Sequence, residues 1–243
     1  MVGWRTILVF AVVPPLLLYA KVNQGRRTLI VLSTPKFIYF DLGNVLLHFD
    51  HEIACRQMAA VASTPQVEIT PERVREVVFA SNLHLEFESG AITAEEFYRA
   101  FCEATQTSPD INELALAASD IFRANVPIKP LLGALLAARI PLGILSNTNI
   151  WHWQFITDGR YLLFPHAFDA TALSFELKAL KPDKAIYQRA AELVGHAPEE
   201  IFYVDDLAEN VAGAREAGFD AVQYTTPRDL AIELRKRGVR MNY

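Results

Sequence analysis

The stretch FIYFDLGNV, residues 37–45, sets the architecture that we expect of this 243-residue chain. Four consecutive apolar residues are typical of a strand that is buried on both faces, as in a parallel sheet. Asp41 follows them directly, so a charged group lies where the strand ends. Open parallel sheets bind their ligands at this carboxyl edge. The stretch therefore predicts a buried first core strand with a candidate reactive group at its end.

Three further apolar runs follow downstream, at residues 141–145, 201–204 and 221–224, with a short strand also expected near 167–169. Helical patterns between them indicate crossover helices and a parallel sheet. Pro182 opens one of these helices in its first turn and Gly195 ends it, and a second runs over about 208–217 with Gly218 as its stop. The predicted fold class is α/β with a Rossmann-like parallel sheet core.

Residues 51–125 contain several helix-start signals and no convincing strand, so we predict a small helical cap inserted after the first core strand. The signals are Asp50 with His51, Thr70 before Pro71, and the capping-box pairs Thr93 with Glu96 and Asp110 with Glu113. The chain then divides into an apolar N-terminal segment at 1–34, a core at 35–50 and 126–243, and the cap at 51–125. We expect this cap to cover the active edge of the sheet.

The N-terminal segment includes an almost unbroken apolar run at residues 7–20. The run is shorter than the roughly 20 residues that a membrane-spanning helix needs, and Pro14-Pro15 lies in its middle. Residues 18–20 are a poor small-x-small cleavage site. A membrane anchor, an export signal and a start assigned too far upstream therefore stay open. We expect a cytoplasmic protein in which only residues 7–20 could contact membrane. If that run inserts, the heavier positive charge on its carboxyl side would hold the rest of the chain in the cytoplasm.

Composition excludes several classes of protein. Hydrophobic residues make up 51% of the chain and charged residues 21%, so it can bury a core and extended disorder is not expected. A formal net charge of -5 without a basic stripe argues against a nucleic-acid partner. Two cysteines, Cys55 and Cys102, are too few for a disulfide framework and suit a reducing compartment. Nothing in the sequence indicates an oligomeric state.

The candidate catalytic groups follow predicted strands, so they should meet at one edge of the sheet. Asp41 is the candidate nucleophile toward a phosphate ester. The Ser146 hydroxyl and the backbone amides around Ser146 and Asn147 could bind the phosphate oxygens. Lys181 would offset the repulsion between the phosphate and the attacking carboxylate, whereas Lys178 is expected to be a solvated charge.

Two adjacent carboxylates, Asp205 and Asp206, follow the apolar run at 201–204 and indicate a cation site. Asp206 and Asp41 could share one Mg²⁺ with water ligands, because hard cations bind carboxylate oxygens. Asn210, one helical turn later, could reach the water shell of the metal or be an ordinary amide on the helix face. Asp205 and Asp206 could also simply cap the following helix, but without a cation the two carboxylates would repel each other.

From about residue 36 to 224 these positions resemble the four signature motifs of the haloacid dehalogenase superfamily. A particular likeness is to the subgroup with Asp-Leu-Gly-Asn-Val at the nucleophile and Ser-Asn-Thr-Asn at the second motif, here residues 41–45 and 146–149. That subgroup includes bacterial phosphatases acting on α-glucose 1-phosphate, and FESGAIT at 87–93 resembles it too. The resemblance implies an aspartyl-phosphate mechanism with a sugar phosphate favoured among small phosphorylated metabolites. Its implied roles are Asp41 as nucleophile, Ser146 and Lys181 as phosphate ligands, Asp206 and the backbone carbonyl of Gly43 as Mg²⁺ ligands, and Asp205 as their support.

One position departs from the broader family. The usual phosphatase motif has a second aspartate two residues after the nucleophile, where this chain has Gly43. Loss of that general acid and base could lower the rate by about 10²- to 10⁴-fold if nothing replaces it. A water, the substrate itself or a nearby imidazole could move the proton, and His152 is the imidazole that we single out.

Two other functions compete with a phosphatase. A haloacid dehalogenase would use the same aspartate to attack carbon and would need no divalent cation, which the paired aspartates argue against. A binding or regulatory protein could have kept the fold and lost turnover. Retention of all four motif positions speaks against that decay.

Overall fold

The computed structural model describes residues 18–23, 26–31 and 33–243. The strands are β1 Leu18–Asn23, β2 Arg26–Val31, β3 Phe37–Phe40, β4 Leu47–His48, β5 Arg123–Ala124, β6 Leu142–Ser146, β7 Ala170–Leu173, β8 Ile201–Asp205 and β9 Asp220–Gln223. The helices are α1 His51–Ala62, α2 Pro71–Arg75, α3 Leu83–Glu88, α4 Ala94–Thr105, α5 Ile111–Ser119, α6 Lys129–Ala137, α7 Ile150–Thr157, α8 Ser174–Leu177, α9 Lys184–Val194, α10 Ala208–Glu216 and α11 Pro227–Lys236. A π-helical turn at Glu76–Ala80 and 3₁₀ turns at Val126–Ile128 and Pro198–Glu200 join them.

Five strands form one parallel sheet in the order β7-β6-β3-β8-β9, which confirms the predicted α/β class. The strand β3 is central, because Ile38 pairs with Leu142 on one side and Phe202 on the other. The strand expected near 167–169 lies later, at Ala170–Leu173. Phe168 instead stacks on Phe164 within the preceding turn, with ring centroids 5.5 Å apart.

Helices cover both faces of this sheet, because successive residues of a strand point to opposite sides. Ile38 and Phe40 pack into a cluster with the buried leucines of α6 and α11. Phe37 and Tyr39 pack on the other face, against the apolar sides of α9 and α10. Both clusters are almost fully removed from solvent, so apolar burial on two faces holds the sheet between its helices.

The helices α1 to α5 form an insertion between β3 and β6 with its own hydrophobic cluster. Asp50 caps α1, and the Thr93/Glu96 capping box of α4 is present in both directions. Pro71 opens α2 behind its cap Thr70 as predicted. The antiparallel ladder between β4 and β5 closes the insertion at its base, and the sequence did not predict this ladder.

The insertion packs on the core through aromatic rings. Trp151, at the start of α7, meets Phe87 and Phe97 edge-on, with ring centroids 5.3 and 5.1 Å away. Phe87 and Phe97 also stack on each other at 4.8 Å. Offset and edge-on ring pairs add to the stabilisation from burial alone. The insertion is therefore seated on the helix that follows the second motif.

Only part of the N-terminal segment lies within the described residues. The strands β1 and β2 pair as an antiparallel hairpin, with Leu18 opposite Val31 and Asn23 opposite Arg26. Residues 7–17 of the apolar run lie outside the described residues. Within the described ranges, none of the helices has the length and apolar character needed to cross a membrane.

Candidate active site

The reactive edge of the sheet follows from strand alternation. Tyr39 and Asp41 lie two residues apart on one side of β3, and Tyr203 and Asp205 lie likewise on β8. Because Tyr39 and Tyr203 are register partners, the two aspartates emerge side by side on the same face of the sheet. Asp206, one residue further along, is half-buried, whereas Asp205 is fully buried.

Lys181 joins these two aspartates. Its buried Nζ donates to Asp41 Oδ1 at 2.7 Å and to Asp205 Oδ2 at 2.8 Å, and it also lies 3.0 Å from the Tyr203 hydroxyl. Burial alone would lower the pKa of Lys181, but the two carboxylates more than offset this and raise it. The site therefore holds a permanent positive charge against the candidate nucleophile.

The same charges act on Asp41. Burial raises the pKa of its carboxyl, and the neighbouring aspartates raise it further, while Lys181 lowers it. With Oδ1 bonded to Lys181, the second oxygen, Oδ2, lies 3.7 Å from the point where a Gly43 side chain would begin. One oxygen of the nucleophile is thus anchored, and the other lies beside the position where the family's second aspartate is missing.

Asp205 is the most heavily bonded carboxylate of the site. Its Oδ1 accepts from Leu207 N at 2.8 Å, and Asn210 Nδ2 donates to both of its oxygens, at 3.1 and 3.0 Å. The Tyr203 hydroxyl donates to Oδ2 in a short hydrogen bond. Asp205 therefore holds Lys181, and the side-chain amide of Asn210 bonds Asp205; the predicted support of a metal ion by Asp205 stays a prediction.

The predicted phosphate ligands meet at the neighbouring strand end. Ser146 is buried, and its hydroxyl lies 3.2 Å from the carbonyl oxygen of Asn147. The Asn147 side chain bonds the backbone of Lys181 in both directions, donating to its carbonyl at 3.0 Å and accepting from its N–H at 2.8 Å. These two hydrogen bonds fix the turn that carries Lys181, so the Asn147 side chain positions the lysine.

A divalent cation fits the residues at this edge. Asp41, Asp205 and Asp206 each bring a carboxylate oxygen within 4.8 Å of the others, and one ammonium does not balance three negative charges. Burial raises the pKa of Asp206, an effect that a hydrogen bond from Asn44 opposes. The Gly43 carbonyl accepts from Val45 N at 2.7 Å, which leaves a second lone pair. These are the oxygen donors that Mg²⁺ prefers.

A packing contact opposes a side chain at position 43. A Cβ on Gly43 would lie 2.7 Å from Cε1 of the Phe49 ring, closer than two carbons can approach without movement. The ring of Phe49 in turn rests on His51, with centroids 4.9 Å apart. An aspartate at residue 43 would therefore displace a packed aromatic pair.

His152 lies at the boundary of core and insertion. Its Nδ1 is 3.2 Å from Asn149 Nδ2 and its Nε2 is 3.3 Å from the Ala118 carbonyl oxygen. With the amide nitrogen as donor, Nδ1 is an acceptor and Nε2 carries the proton toward Ala118. Burial lowers its pKa to about 4. Both nitrogens already have partners, so a proton-transfer role would require the ring to leave them.

Three residues near the site were not singled out individually from the sequence: Tyr203, Asn44 and Glu88. The alternation Tyr203-x-Asp205 places the tyrosine on the side of the aspartate and could have revealed it. Asn44 adopts the left-handed backbone conformation, with φ of 53°, which asparagine tolerates in tight turns. Glu88 was noted only within FESGAIT, because no local pattern says that its side chain reaches the cavity.

Comparison with known proteins agrees with this geometry. The sequence-family model of the haloacid dehalogenase-like hydrolases matches residues 35–218. D-ribitol-5-phosphate phosphatase of Bacteroides thetaiotaomicron is 25% identical over 207 residues, which cover 82% of this chain and 96% of that protein. (S)-2-haloacid dehalogenase 1 of Pseudomonas sp. is 34% identical over 92 residues, 38% of this chain and 40% of that protein. The chain spans two fifths or less of two of the curated relatives that it matches.

Solved structures share the same fold. A haloacid dehalogenase family enzyme of Bacteroides thetaiotaomicron, solved as a magnesium complex, superposes with a TM-score of 0.70 at 25% identity, covering 84% of this chain and all of that one. The family match extends over more than half of the sequence and includes all the strand-end residues described above. The chain therefore belongs to the haloacid dehalogenase-like hydrolases and is an enzyme.

Proposed function

We propose that this enzyme is a Mg²⁺-dependent phosphatase that acts on a small phosphorylated metabolite, with sugar phosphates the favoured class, through an aspartyl-phosphate. The observation that carries the proposal is the cluster of three carboxylates around the buried Lys181 ammonium. An excess of negative charge at the nucleophile suits a reaction that brings in a divalent cation with an anionic phosphate.

Each residue of the site has its own role in the proposed reaction. Asp41 attacks phosphorus, and Lys181 reduces the repulsion between that carboxylate and the phosphate oxygens. The Ser146 hydroxyl and the backbone amide of Asn147 bind oxygens of the phosphate. Asp41, Asp206 and the Gly43 carbonyl would hold Mg²⁺, with Asp205 in support. When bound, the cation would offset the charge of the phosphate oxygens.

The relatives support a phosphatase over a dehalogenase. D-ribitol-5-phosphate phosphatase matches nearly over its full length, whereas the haloacid dehalogenase matches over two fifths of its length. The Bacteroides thetaiotaomicron family enzyme was also solved with magnesium and inorganic phosphate. Displacing a halide from carbon requires no divalent cation, so that reaction would leave the third carboxylate, Asp206, without a purpose.

The helical insertion serves as the cap in this proposal, with residues 51–125 as cap and residues 35–50 and 126–243 as core. The cavity beside Gly43 and Ser146 has a volume of about 40 Å³, which is room for one or two waters. In this proposal the insertion opens to admit a phosphate ester and closes over it. Its closure would then exclude water and select the leaving group.

The test is phosphate release from a panel of sugar and other metabolite phosphates by the full chain, with and without Mg²⁺. Asp41→Asn removes the nucleophile at nearly constant shape, and Asp120→Asn, an exposed aspartate at the end of α5, is the matched control. We expect Mg²⁺-dependent release that Asp41→Asn abolishes and Asp120→Asn retains. Chloride release from a 2-chloro acid without phosphate release would instead support a dehalogenase, and silence in both assays would support a binding protein.

A further inference from the structure

The proposed chemistry lacks one group. Cleavage of an ester needs a proton for the leaving oxygen, and hydrolysis of the aspartyl-phosphate needs a base for the attacking water. Position 43 cannot supply either, because glycine has no side chain. The ring nitrogens of His152 are bonded to Asn149 and Ala118. The remaining side-chain candidate for a proton carrier lies on another wall of the cavity.

Glu88 forms part of that wall. It is the last residue of α3, in the insertion, and it lines the cavity that Gly43, Ser146 and Asn147 line from the core. Its side chain is half-buried, and no hydrogen-bond donor contacts its carboxylate anywhere in the described part of the chain. A carboxyl without a hydrogen-bond donor in the described part of the chain, on the wall of the cavity that Ser146 and Asn147 also line, is free to exchange a proton.

The position of Glu88 is fixed through its backbone. The fully buried Ser174 hydroxyl donates to the Glu88 carbonyl at 2.6 Å and accepts from Thr148 N at 2.9 Å. Thr148 belongs to the turn that carries Ser146 and Asn147. One serine thus ties the end of α3 to the predicted phosphate-binding turn. Phe87 anchors the same point against Trp151.

The surroundings of Glu88 suit an acid that changes protonation near neutral pH. Burial raises the pKa of Glu88 to about 7, with Lys181 lowering it and Asp41 raising it. The other titratable groups that line the cavities around it are histidines, whose pKa values burial lowers, so they are uncharged near neutrality: His51, His84 and His152. General acids and bases work best when their pKa lies close to the working pH.

We propose that Glu88 is the general acid and base of this enzyme, supplied by the insertion in place of the second aspartate that position 43 lacks. The inference rests on the proposed phosphatase function. In the first step Asp41 bonds to phosphorus, the bond to the leaving oxygen breaks, and that oxygen takes the proton of the Glu88 carboxyl. In the second step water bonds to phosphorus, the bond to Asp41 breaks, and the Glu88 carboxylate takes the proton of that water. Glu88 ends protonated, as it began.

This placement has a mechanistic consequence. The nucleophile belongs to the core and the acid to the insertion, so both steps require the closed arrangement in which Ser174 ties the two together. An open insertion would leave Asp41 without a proton donor. Proton transfer would thereby be limited to the state in which bulk water is excluded.

The experiment compares Glu88→Gln with Glu86→Gln, an exposed glutamate two residues earlier on α3. Two substrates separate the roles: an alkyl phosphate, whose leaving oxygen needs a proton, and 4-nitrophenyl phosphate, whose leaving group does not. We expect Glu88→Gln to lower turnover of the alkyl phosphate by about 10²- to 10⁴-fold. On 4-nitrophenyl phosphate it should release one equivalent of nitrophenol in a burst and then turn over slowly, because hydrolysis of the aspartyl-phosphate has lost its base. Glu86→Gln should behave as wild type.

Further readouts distinguish a catalytic from a structural role. Wild-type turnover of the alkyl phosphate should fall above about pH 7 as Glu88 ionises, and this decline should be absent in Glu88→Gln. A carboxyl that titrates near neutral pH should disappear from the metal-free protein on the same substitution. Equal losses on both substrates without a burst, or activity equal to that of Glu86→Gln, would overturn the proposal. Wild-type protein that releases no phosphate from either substrate would instead overturn the phosphatase function on which it rests.

Discussion

The carboxyl edge of the sheet and the cavity wall that faces it treat charge in opposite ways. At the edge, Asp41 and Asp205 are buried and both accept hydrogen bonds from the buried Lys181. On the facing wall, Glu88 of the insertion and His152 of the core helix α7 are half-buried among aromatic and aliphatic side chains, and burial shifts both pKa values toward the uncharged form. Burial disfavours an ion only when no partner compensates for lost water. The edge can therefore hold charge, and the wall can exchange protons.

The largest expected effect comes from breaking the charge pairing at the edge. Lys181→Met should lower the free energy of unfolding by about 3–5 kcal/mol, because two buried carboxylates lose their cation. Since the pKa of Asp41 is already raised to about 7 with Lys181 present and should rise further without it, the loss should increase as pH rises through 7 and shrink in acid, where the carboxyls take up protons. Urea unfolding measures this. Lys178→Met is the control, because Lys178 is exposed and bonds only the Gly90 carbonyl. Equal stability of the two variants would mean that the pair does not hold the edge together.

Glu88, on the facing wall, should destabilise the folded protein as the pH increases. The pKa of Glu88 rises from its usual 4.5 to about 7, so the folded protein binds this proton more tightly than the unfolded chain. Wild type should therefore lose stability relative to Glu88→Gln as pH increases from about 4.5 to 7, by at most about 3.5 kcal/mol at ~1.4 kcal/mol for each tenfold change in proton affinity. Urea unfolding of metal-free protein at several pH values tests this. A difference between the two proteins that does not vary with pH would show that Glu88 is not destabilised by ionisation.

His152, a base on the same wall, should destabilise the folded protein as the pH decreases. The pKa of His152 falls from its usual 6.5 to about 4, so the unfolded chain takes up this proton first. Wild type should lose about 2–3 kcal/mol relative to His152→Gln as pH decreases from about 6.5 to 4. If turnover and the pH–rate profile also survive in His152→Gln, the imidazole is not the proton carrier. A parallel pH dependence of the two proteins would contradict the assignment of a neutral ring.

The smallest effect sharpens the comparison within the edge itself. Tyr203→Phe removes a hydroxyl that donates to Asp205 and contacts Lys181, and should cost about 1–2 kcal/mol and lower kcat by about tenfold. Tyr39 is its register partner, and the Tyr39 hydroxyl donates only to the Ala190 carbonyl, at 3.0 Å. Tyr39→Phe should therefore cost stability and leave kcat unchanged. Equal kcat values in the two variants would separate Tyr203 from the reaction.

The core of the fold was predictable from sequence because its signals are local. The central runs at 37–40 and 201–204 lie within one residue of β3 and β8, since a strand buried on both faces must be apolar throughout. The caps of α2 and α4 were predicted because a helix start is fixed by side chains within three residues of it. The ladder between β4 and β5 was missed, because two-residue strands carry no period and pair only after the insertion has folded. Pro182 was predicted to lie in the first turn of α9, but the helix begins two residues later, at Lys184.

For the active site, the order of Asp41, Ser146, Lys181 and Asp205 along the chain was enough to gather the four residues, because parallel strands present their carboxyl ends at one edge. What each group does there depends on contacts that span the chain. The hydrogen bond from Lys181 decides which oxygen of Asp41 stays available. Strand alternation decides that Asp205 is buried while Asp206 faces outward. The Phe49 ring opposes a side chain at residue 43. The place of Glu88 on the cavity wall arises only when α3 is packed on α7 and tied to Ser174, and no local pattern encodes a meeting of residues so far apart in sequence.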